Sequence, residues 1–300
     1  MPNTYRPLIF AVLAVLSLAL FTYSANYIVY QYPGNNYLPP DYGTVLILLL
    51  IFYAGCRLQF NRQNRLTSVA VQLIAFYGVI SCIALCTNGV QYTPFPPIDK
   101  HLIQLERYMG INLPLMLDWL QSHPLLKFCL AVSYDSLAYQ IAFIPLIIIL
   151  FSTKNTPDYK PRLYRFYLLI LWSSFWGFGF YYFFPTTAPA SNMDSPWFIQ
   201  SQYDTGLKFY QLRHYIQPTT MDGGMIAFPS FHSIWALLCL YLIWPWKWAF
   251  LLLLLVNTGL LISCVLLGWH YPLDILASVI LLMFCQWLIN FVLRSENVAD

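Results

Sequence analysis

Residues 248–267 read WAFLLLLLVNTGLLISCVLL, a run of twenty positions without a charged side chain. About 20 apolar residues in a helix are enough to span the hydrocarbon core of a bilayer. Only 9% of the 300 residues are charged and 59% are hydrophobic, whereas soluble domains carry about 25% charged residues. The composition leaves too little polar surface for a water-soluble fold and predicts an integral-membrane protein.

Similar apolar stretches recur along the whole chain. Hydropathy predicts eight transmembrane helices, near residues 7–30, 43–57, 67–90, 125–151, 163–184, 230–246, 248–267 and 272–293. The linkers 91–124 and 185–229 are long enough for short interfacial helices, and apolar spacing predicts one such helix over 99–120. The predicted fold class is all-α: a polytopic membrane protein with about eight transmembrane helices.

Lys and Arg side chains are unequally distributed between the two sets of loops. One set carries ten (Arg6, Arg57, Arg62, Arg65, Lys154, Lys160, Arg162, Arg165, Lys247 and Arg294), and the other, although longer, carries five (Lys100, Arg107, Lys127, Lys208 and Arg213). Because loops rich in Lys and Arg stay in the cytoplasm, the first set and both termini are predicted inside. All five histidines then lie outside (His101, His123, His214, His232 and His270).

The sequence also indicates the membrane in which the chain lies and the partners that it meets. Its short loops and compact length favour a bacterial inner membrane, whose outer face is periplasmic; in a eukaryotic membrane that face would be luminal. The net charge of +3 is too small to indicate a nucleic-acid partner. The expected partner is the lipid bilayer.

Two short segments stand at outer ends of predicted helices. FPSFHS, residues 228–233, opens the sixth helix, and GWHYPLD, residues 268–274, opens the eighth. A single helical hairpin separates them, so His232 and His270 return to the same membrane face. This prediction rests on topology alone.

The local chemistry of both segments suits a phosphate. Pro229 and Pro272 are predicted in the first turn of a helix, where proline is tolerated, and each helix start offers free N–H groups to an oxyanion. Ser230 either caps its helix or donates its hydroxyl. His270 and Asp274 are four residues apart, on one helical face, so the carboxylate can hold the imidazole.

A histidine oriented by a carboxylate is an activated nucleophile or base, and His232 across the site can act as the acid. Two alternatives stand beside this interpretation. Either histidine, taken alone, is a structural residue satisfied by hydrogen bonds. Two histidines and one aspartate also form part of a zinc site, although the sequence offers no further ligand cluster.

The two segments resemble the second and third motifs of the type 2 phosphatidic-acid phosphatase superfamily. Within it, the chain is most similar to the inositol-phosphorylceramide synthase (inositolphosphotransferase) branch and its bacterial relatives. Residues 133–137, 184–185 and 222–227 add to the resemblance, which covers about 67–295. It implies two N-terminal transmembrane helices over 1–66 and a six-helix catalytic core over 67–300.

The resemblance also implies roles for individual residues. His270 would form a phosphohistidine, Asp274 would orient it, and His232 would protonate the leaving group, without a metal or cofactor. The substrate would be a membrane phospholipid, sphingolipid or polyprenyl phosphate. Water as acceptor would give a phosphatase (a hydrolase), and a lipid or polyol hydroxyl would give a headgroup transferase.

The sequence departs from the phosphatase branch at three places. Cys264 stands where that branch has an arginine, Phe231 stands where it usually has glycine, and its first motif, with Lys and Arg-Pro, is absent. Two of these departures remove phosphate-binding cations. The synthase branch departs at the same positions, so the differences favour a transferase.

Two further residues are candidates for substrate binding. A cation must neutralise the phosphate, and Arg213 is preferred to Lys208 and His214 because a guanidinium binds phosphate oxygens bidentately; the alternative is an ordinary interfacial arginine. Asp135 lies inside the fourth predicted helix, where carboxylates are costly and often functional. It either binds the acceptor hydroxyl or bonds to a neighbouring helix.

A non-catalytic protein is the competing hypothesis. Transporters usually contain internal repeats or paired broken helices, and the sequence shows neither. The missing cations leave open a degenerate superfamily member that binds lipid without turnover.

Overall fold

The computed structural model describes residues 5–152, 158–222 and 224–299, with side chains as far as Leu293. Lys154, which entered the topology prediction, and Gly223, which entered the resemblance, lie outside the described residues, as does the Arg294 side chain. Within these limits every regular element is a helix and there is no strand. The predicted all-α fold class is confirmed.

Eleven α-helices make up the described chain. They are α1 Arg6–Ala25, α2 Tyr42–Gln59, α3 Arg65–Val90, α4 Asp99–Tyr108, α5 Leu113–Gln121, α6 Pro124–Phe151, α7 Tyr159–Phe183, α8 Gln200–Arg213, α9 Phe231–Ile243, α10 Lys247–Leu266 and α11 Pro272–Ala299. A π-helical turn, Asn26–Tyr30, extends α1, and a 3₁₀ turn, Pro189–Ser191, precedes α8.

Seven of these helices are long and apolar enough to cross a bilayer: α1 with its π-helical turn, α2, α3, α6, α7, α10 and α11. The remaining predicted span, the sixth, is α9, which has only 13 residues and rises about 20 Å. The hydrocarbon core is about 30 Å thick. The helix ends at Ile243, before the predicted end at 246, because Pro245 cannot continue it.

The central helix of the bundle is α7, whose apolar residues are buried along most of its length. It packs against α1, α3, α9 and α11, while α10 packs against α6 and α9. Most of α2 is exposed, and it contacts α3 at the periphery. This packing holds α9 and α11 side by side, so that their N-terminal ends meet. The domain boundary at residue 66 stays a prediction.

Arginines hold helix ends at the membrane side predicted to be cytoplasmic. The Arg65 guanidinium donates to Leu150 O at 2.8 Å and to Ser152 O at 2.6 Å, at the end of α6. Arg162 donates to Leu242 O at 3.1 Å, at the end of α9. Cations are favourable there because the last carbonyls of a helix lack partners and carry partial negative charge.

The linker between α3 and α6 differs from the prediction. The single helix predicted over 99–120 is wrong, because α4 ends before Gly110 and α5 begins after Asn112. Gly110 has φ +80°, a left-handed conformation that favours glycine. The Asn112 side chain then caps α5 by accepting from Leu115 N at 3.3 Å. The apolar spacing continues across this break and so did not reveal it.

Candidate active site

The first residues of α9 and α11 are joined by direct hydrogen bonds. Ser230 N donates to Asp274 O at 3.3 Å, and Ser278 Oγ donates to Ser230 O at 2.9 Å and to Asp274 O at 2.6 Å. The His232 and His270 ring centroids are 5.7 Å apart. The two segments singled out in the sequence therefore form one site at one end of the bundle.

His270 is held through one ring nitrogen. Its Nδ1 lies 3.0 Å from Ala227 O and 3.2 Å from Asp274 Oδ2. A backbone carbonyl only accepts hydrogen bonds, so these partners place the proton on Nδ1. Nε2 then carries the lone pair, and it has no hydrogen-bond partner among the described residues. This is the tautomer that a nucleophilic histidine requires.

Burial determines the charge of the His270 imidazole. The His270 side chain is almost fully enclosed, and this desolvation lowers its pKa to about 4, although the hydrogen bond to Ala227 O raises it. A neutral imidazole is therefore the form present near neutral pH. Its free Nε2 lone pair can attack an electrophile without first losing a proton.

The Asp274 carboxylate is fixed by its own helix start. It is fully buried, and its Oδ2 accepts from Tyr271 N at 2.8 Å as well as facing His270 Nδ1. Its Oδ1 has no hydrogen-bond partner in the described part of the chain. One carboxylate oxygen thus orients both the imidazole and the turn that carries it.

His232 is held by ring stacking. Its ring lies 4.6 Å from that of Tyr134 at an interplanar angle of 18°, and Tyr134 stacks in turn on Trp269 at 5.6 Å and 8°. No hydrogen bond to either His232 ring nitrogen occurs within the described residues. The stack fixes the plane of the ring and leaves its nitrogens able to exchange a proton.

Ser230 is the N-cap of α9. Its Oγ accepts from Ser233 N at 3.3 Å, and the residue is fully buried, so the geometry is that of the predicted cap. Pro272 is the first residue of α11, as predicted. Pro229 precedes the cap, so its predicted place in the first helical turn is wrong.

The two helix starts differ in what they offer an anion. At α11, Tyr271 N donates to Asp274 Oδ2, and Leu273 N donates to Glu106 Oε1 at 3.0 Å. The prediction that both starts offer free N–H groups is therefore wrong for α11, whose donors meet carboxylates instead. At α9, the N–H groups of Phe231 and His232 have no acceptor among the described residues.

Cys264, at the position where the phosphatase branch has arginine, is fully buried beside Leu137 and Leu260. Its carbonyl accepts from His270 N at 2.8 Å. Gly268, with φ +84°, ends α10 between them, and a Cβ there would lie 2.6 Å from a ring carbon of Phe198. The turn at the end of α10, from Cys264 to Gly268, therefore determines the path of the loop that carries His270 and contributes no charge to the site.

The cations proposed from the sequence lie on α8 and just beyond it. Arg213 donates to Phe95 O and covers the Phe209 ring at 5.5 Å. It makes no hydrogen bond, ion pair or ring contact with His232, His270 or Asp274 in the part of the chain that the structure describes.

Lys208 and His214 are the other two outer-face candidates. Lys208 is buried near Asp204 and Asp222, and desolvation lowers its pKa to about 8, although the two aspartates raise it. His214 stacks on Tyr210. Lys208 Nζ donates to Met221 O at 3.5 Å. These interactions do not place either cation against His270, so the phosphate-binding cation stays a prediction.

Asp135 lies on the exposed side of α6 and lines a cavity of about 260 Å³. Tyr134 and Trp269, the two rings stacked beneath His232, also line this cavity, and Lys127 stands at its wall. Asp135 forms no hydrogen bond with a neighbouring helix among the described residues. The cavity therefore joins an unpaired carboxylate to the wall of the histidine site.

Two acidic residues that the sequence analysis did not select also reach the site. Asp99 Oδ1 accepts from Tyr271 OH at 3.0 Å, and Glu106 Oε1 accepts from Leu273 N. They are seven residues apart, on the same face of an amphipathic helix as Leu102 and Ile103. Acids on an otherwise apolar face were a signal available in the sequence.

A metal centre is the alternative to histidine chemistry. Across residues 5–152, 158–222 and 224–293, no three His, Cys, Asp or Glu side chains form a group that could hold a metal ion. The geometry around His270 is that of a hydrogen-bonded imidazole, as described above.

A sequence model described as the PAP2 superfamily, which is the type 2 phosphatidic-acid phosphatase superfamily, matches residues 100–288, more than half of the chain. The match runs from α4 into α11 and includes both histidine segments. No curated protein and no solved structure matches the chain.

Proposed function

Because the chain belongs to the PAP2 superfamily, we propose that it is an integral-membrane enzyme that transfers a phosphoryl group on a lipid through a phosphohistidine at His270. One observation carries this proposal: Asp274 Oδ2 and Ala227 O hold the Nδ1 proton, which leaves Nε2 unprotonated and unpartnered. A histidine held in this way for structure alone would not need a free second nitrogen beside a second histidine.

In the first half-reaction, His270 Nε2 attacks the phosphorus of the lipid phosphate. The bond from phosphorus to the leaving oxygen breaks, and His232 donates its proton to that oxygen. The imidazole keeps its Nδ1 proton and becomes positively charged as the N–P bond forms. The buried Asp274 carboxylate, 3.2 Å from Nδ1, balances this charge.

In the second half-reaction, a hydroxyl oxygen attacks the phosphohistidine and gives its proton to His232. The N–P bond breaks, and the electron pair returns to His270 Nε2. With a phosphomonoester donor, the phosphoryl group on His270 passes to water and phosphate is released. With a phosphodiester donor, the headgroup stays on the phosphorus, so a lipid or polyol hydroxyl yields a new phosphodiester and water yields the headgroup phosphate. The similarity to the inositolphosphotransferase branch, together with Cys264 in place of arginine, supports a hydroxyl acceptor.

The negative charge of the phosphate needs donors. The free N–H groups of Phe231 and His232, at the positive end of α9, suit an oxyanion. Ser230 caps this turn and keeps it in place, and its hydroxyl stays a candidate for direct substrate contact. Arg213 donates to Phe95 O and contacts none of His232, His270 and Asp274 within the described chain, so we assign most of the phosphate binding to the N-terminal end of α9.

The acceptor enters through the cavity that Asp135 lines. Its carboxylate is unpaired among the described residues, and a carboxylate accepts hydrogen bonds from hydroxyl groups. Tyr134 and Trp269 connect the cavity wall to His232 by stacking. His232 does not itself line this cavity, so an alcohol bound there would have to pass the Tyr134 ring to reach the residue that takes its proton.

The donor in this proposal is a phospholipid, sphingolipid or polyprenyl phosphate, reached from within the bilayer. The excess of Lys and Arg in the opposite loops supports an outer-face site, periplasmic in a bacterial inner membrane. The histidine end of the bundle is the end that carries fewer of these cations.

A lipid-product profile tests the proposal. Purified protein is given labelled phospholipids, sphingolipid precursors and polyprenyl phosphates, and both released phosphate and transferred headgroup are measured. We expect turnover by the wild type and by His123→Ala, which removes an exposed outer-face histidine, but not by His270→Ala. Vanadate should inhibit, and a chelator should not.

Three results would overturn the proposal. Full turnover of every active lipid by His270→Ala would exclude the phosphohistidine. Lipid binding by the wild type without any turnover would support the competing hypothesis, a degenerate lipid-binding protein. Inhibition by a chelator but not by vanadate would favour the metal alternative.

A further inference from the structure

The amphipathic helix α4 buries two carboxylates against the histidine site. Asp99 and Glu106 are each only 1% exposed. Seven residues separate them, which is about two helical turns, so they lie on one face. Leu102 and Ile103 share this face and pack against Tyr271. Helix α4 is thus docked on the loop that carries His270.

Each carboxylate bonds to a residue next to a catalytic candidate. Tyr271 OH donates to Asp99 Oδ1, and Leu273 N donates to Glu106 Oε1, both at 3.0 Å. In sequence, these two donors lie between His270 and Asp274. The hydrogen bonds from α4 therefore hold residues 270–274 at two positions, Tyr271 and Leu273, which lie between His270 and Asp274.

We propose that Asp99 and Glu106 are positioning residues, which hold Tyr271 and Leu273 so that Asp274 keeps the His270 imidazole in its reactive orientation. This inference rests on the proposed function. The link to the reacting atoms is short, because Tyr271 N also donates to Asp274 Oδ2 at 2.8 Å. A shift of Tyr271 would therefore move the carboxylate that orients His270.

Stability alone is a poor explanation for these two acids. Burying a carboxylate costs free energy that apolar side chains of similar size would not cost. Asp99 is satisfied by Tyr271 and by Thr187, whose N–H lies 2.9 Å from Oδ2. Glu106 has one satisfied oxygen, and its Oε2 has no partner among the described residues. Leucine or methionine would dock α4 more favourably but would not hold Leu273 N.

The protonation of Glu106 makes a conservative substitution informative. Burial raises its pKa to about 7, the Leu273 N–H bond lowers it, and the charge of Asp274 raises it. The protonated acid is thus well populated near neutral pH, and glutamine resembles it in shape. In Glu106→Gln an oxygen still accepts from Leu273 N, whereas in Glu106→Met no acceptor is left.

The test compares these two variants in purified protein, with the lipid that the wild type turns over. Losing a hydrogen bond to a carboxyl group should lower kcat about 10- to 100-fold in Glu106→Met, with KM within about twofold because substrate contacts are unchanged. Vanadate affinity should fall in parallel with kcat, since vanadate resembles the transition state. Glu106→Gln should recover most of kcat.

A second readout does not depend on activity. Amide hydrogen exchange at residues 271–274 should be faster in Glu106→Met than in Glu106→Gln. Lys100→Gln, which changes an exposed charge on the same helix, is the control and should leave kcat and exchange at wild-type values. This measurement remains interpretable for a variant with reduced folding, because exchange across α7 reports overall stability separately.

The outcomes separate the two proposals. A Glu106→Met variant with wild-type kcat and wild-type exchange at 271–274 would overturn the positioning role, while loss of activity in His270→Ala would still support the phosphohistidine. Equal loss in Glu106→Met and Glu106→Gln would also overturn it. A wild type without turnover would overturn the proposed function. A difference in exchange between the two Glu106 variants would then show only that Glu106 stabilises residues 271–274, and the positioning role in catalysis would fall with the proposed function.

Discussion

His270 and Asp274 lie one helical turn apart, and His270 Nδ1 is 3.2 Å from Asp274 Oδ2 at the start of α11. The same carboxylate oxygen accepts from Tyr271 N. The Ala227 carbonyl, from the approach to α9, meets the same imidazole nitrogen at 3.0 Å. Three short contacts from two segments therefore determine which nitrogen of His270 carries the proton and which is left free.

Replacing Asp274 by Asn should abolish most of the activity. The amide removes the charge that balances the imidazolium formed on phosphorylation, so we expect kcat to fall about 10²- to 10⁴-fold. The measurement is steady-state turnover of the active lipid. Asp194→Asn, an exposed acid in the linker before α8, is the control. An Asp274→Asn enzyme with unchanged kcat would show that the pair has no catalytic role.

The pH dependence should reflect the buried state of His270. Desolvation lowers its pKa to about 4, so the nucleophile is neutral above that pH and becomes blocked as the pH falls through it. We expect the acid limb of kcat/KM near pH 4. An exposed histidine, with a pKa of about 6.5, would give a limb near that value.

The measurement is kcat/KM as a function of pH. Samples taken to low pH are returned to neutral pH, and recovery of their activity shows that the loss is caused by protonation and not by unfolding. An acid limb centred near the pKa of an exposed histidine would contradict the enclosed position of His270. The sign of the His270 contribution is fixed, because protonation of this imidazole removes its Nε2 lone pair.

Replacing Gly268 by Ala should disturb the corner that carries His270. A left-handed conformation costs a non-glycine residue about 1–2 kcal/mol, and a Cβ would meet the Phe198 ring at 2.6 Å. We expect a lower Tm and a lower kcat. Gly55→Ala is the control, since a Cβ there meets nothing within 4 Å. Because alanine favours a helix more than glycine does, this variant should not have a lower Tm than the wild type. Similar Tm values in both variants would refute the strained corner.

Replacing Asp135 by Asn should change the fate of the phosphohistidine. If the carboxylate binds the acceptor hydroxyl, transfer to alcohol should fall about tenfold relative to hydrolysis, the equivalent of one hydrogen bond. The ratio of transferred headgroup to released phosphate measures this effect. Tyr139→Phe, at an exposed position of the same helix, should leave the ratio unchanged. An unchanged ratio in Asp135→Asn would remove the acceptor role.

Hydropathy predicted the helices well because a bilayer requires long apolar segments. Seven spans agree with the prediction to within a few residues, and α9 is shorter because Pro245 follows it. The linker before α6 was less predictable. Its apolar spacing continues across Gly110, whose positive φ ends α4, and periodicity does not detect a single backbone angle.

The candidate site was predictable where it depended on topology and local spacing. One hairpin brings His232 and His270 to the same end, and a four-residue spacing brings Asp274 to His270. Contacts between distant segments were not predictable in this way. Glu106 meets Leu273 across 167 residues of sequence, and only the docking of α4 reveals it.

Trapping the covalent intermediate tests the central claim most directly. The protein is mixed with lipid labelled in its phosphate, quenched in alkali to preserve an acid-labile phosphohistidine, digested and analysed by mass spectrometry. We predict labelled phosphate on the peptide that contains His270, and none in His270→Ala. Turnover of the lipid with the label on another residue, or with no labelled peptide at all, would contradict the account.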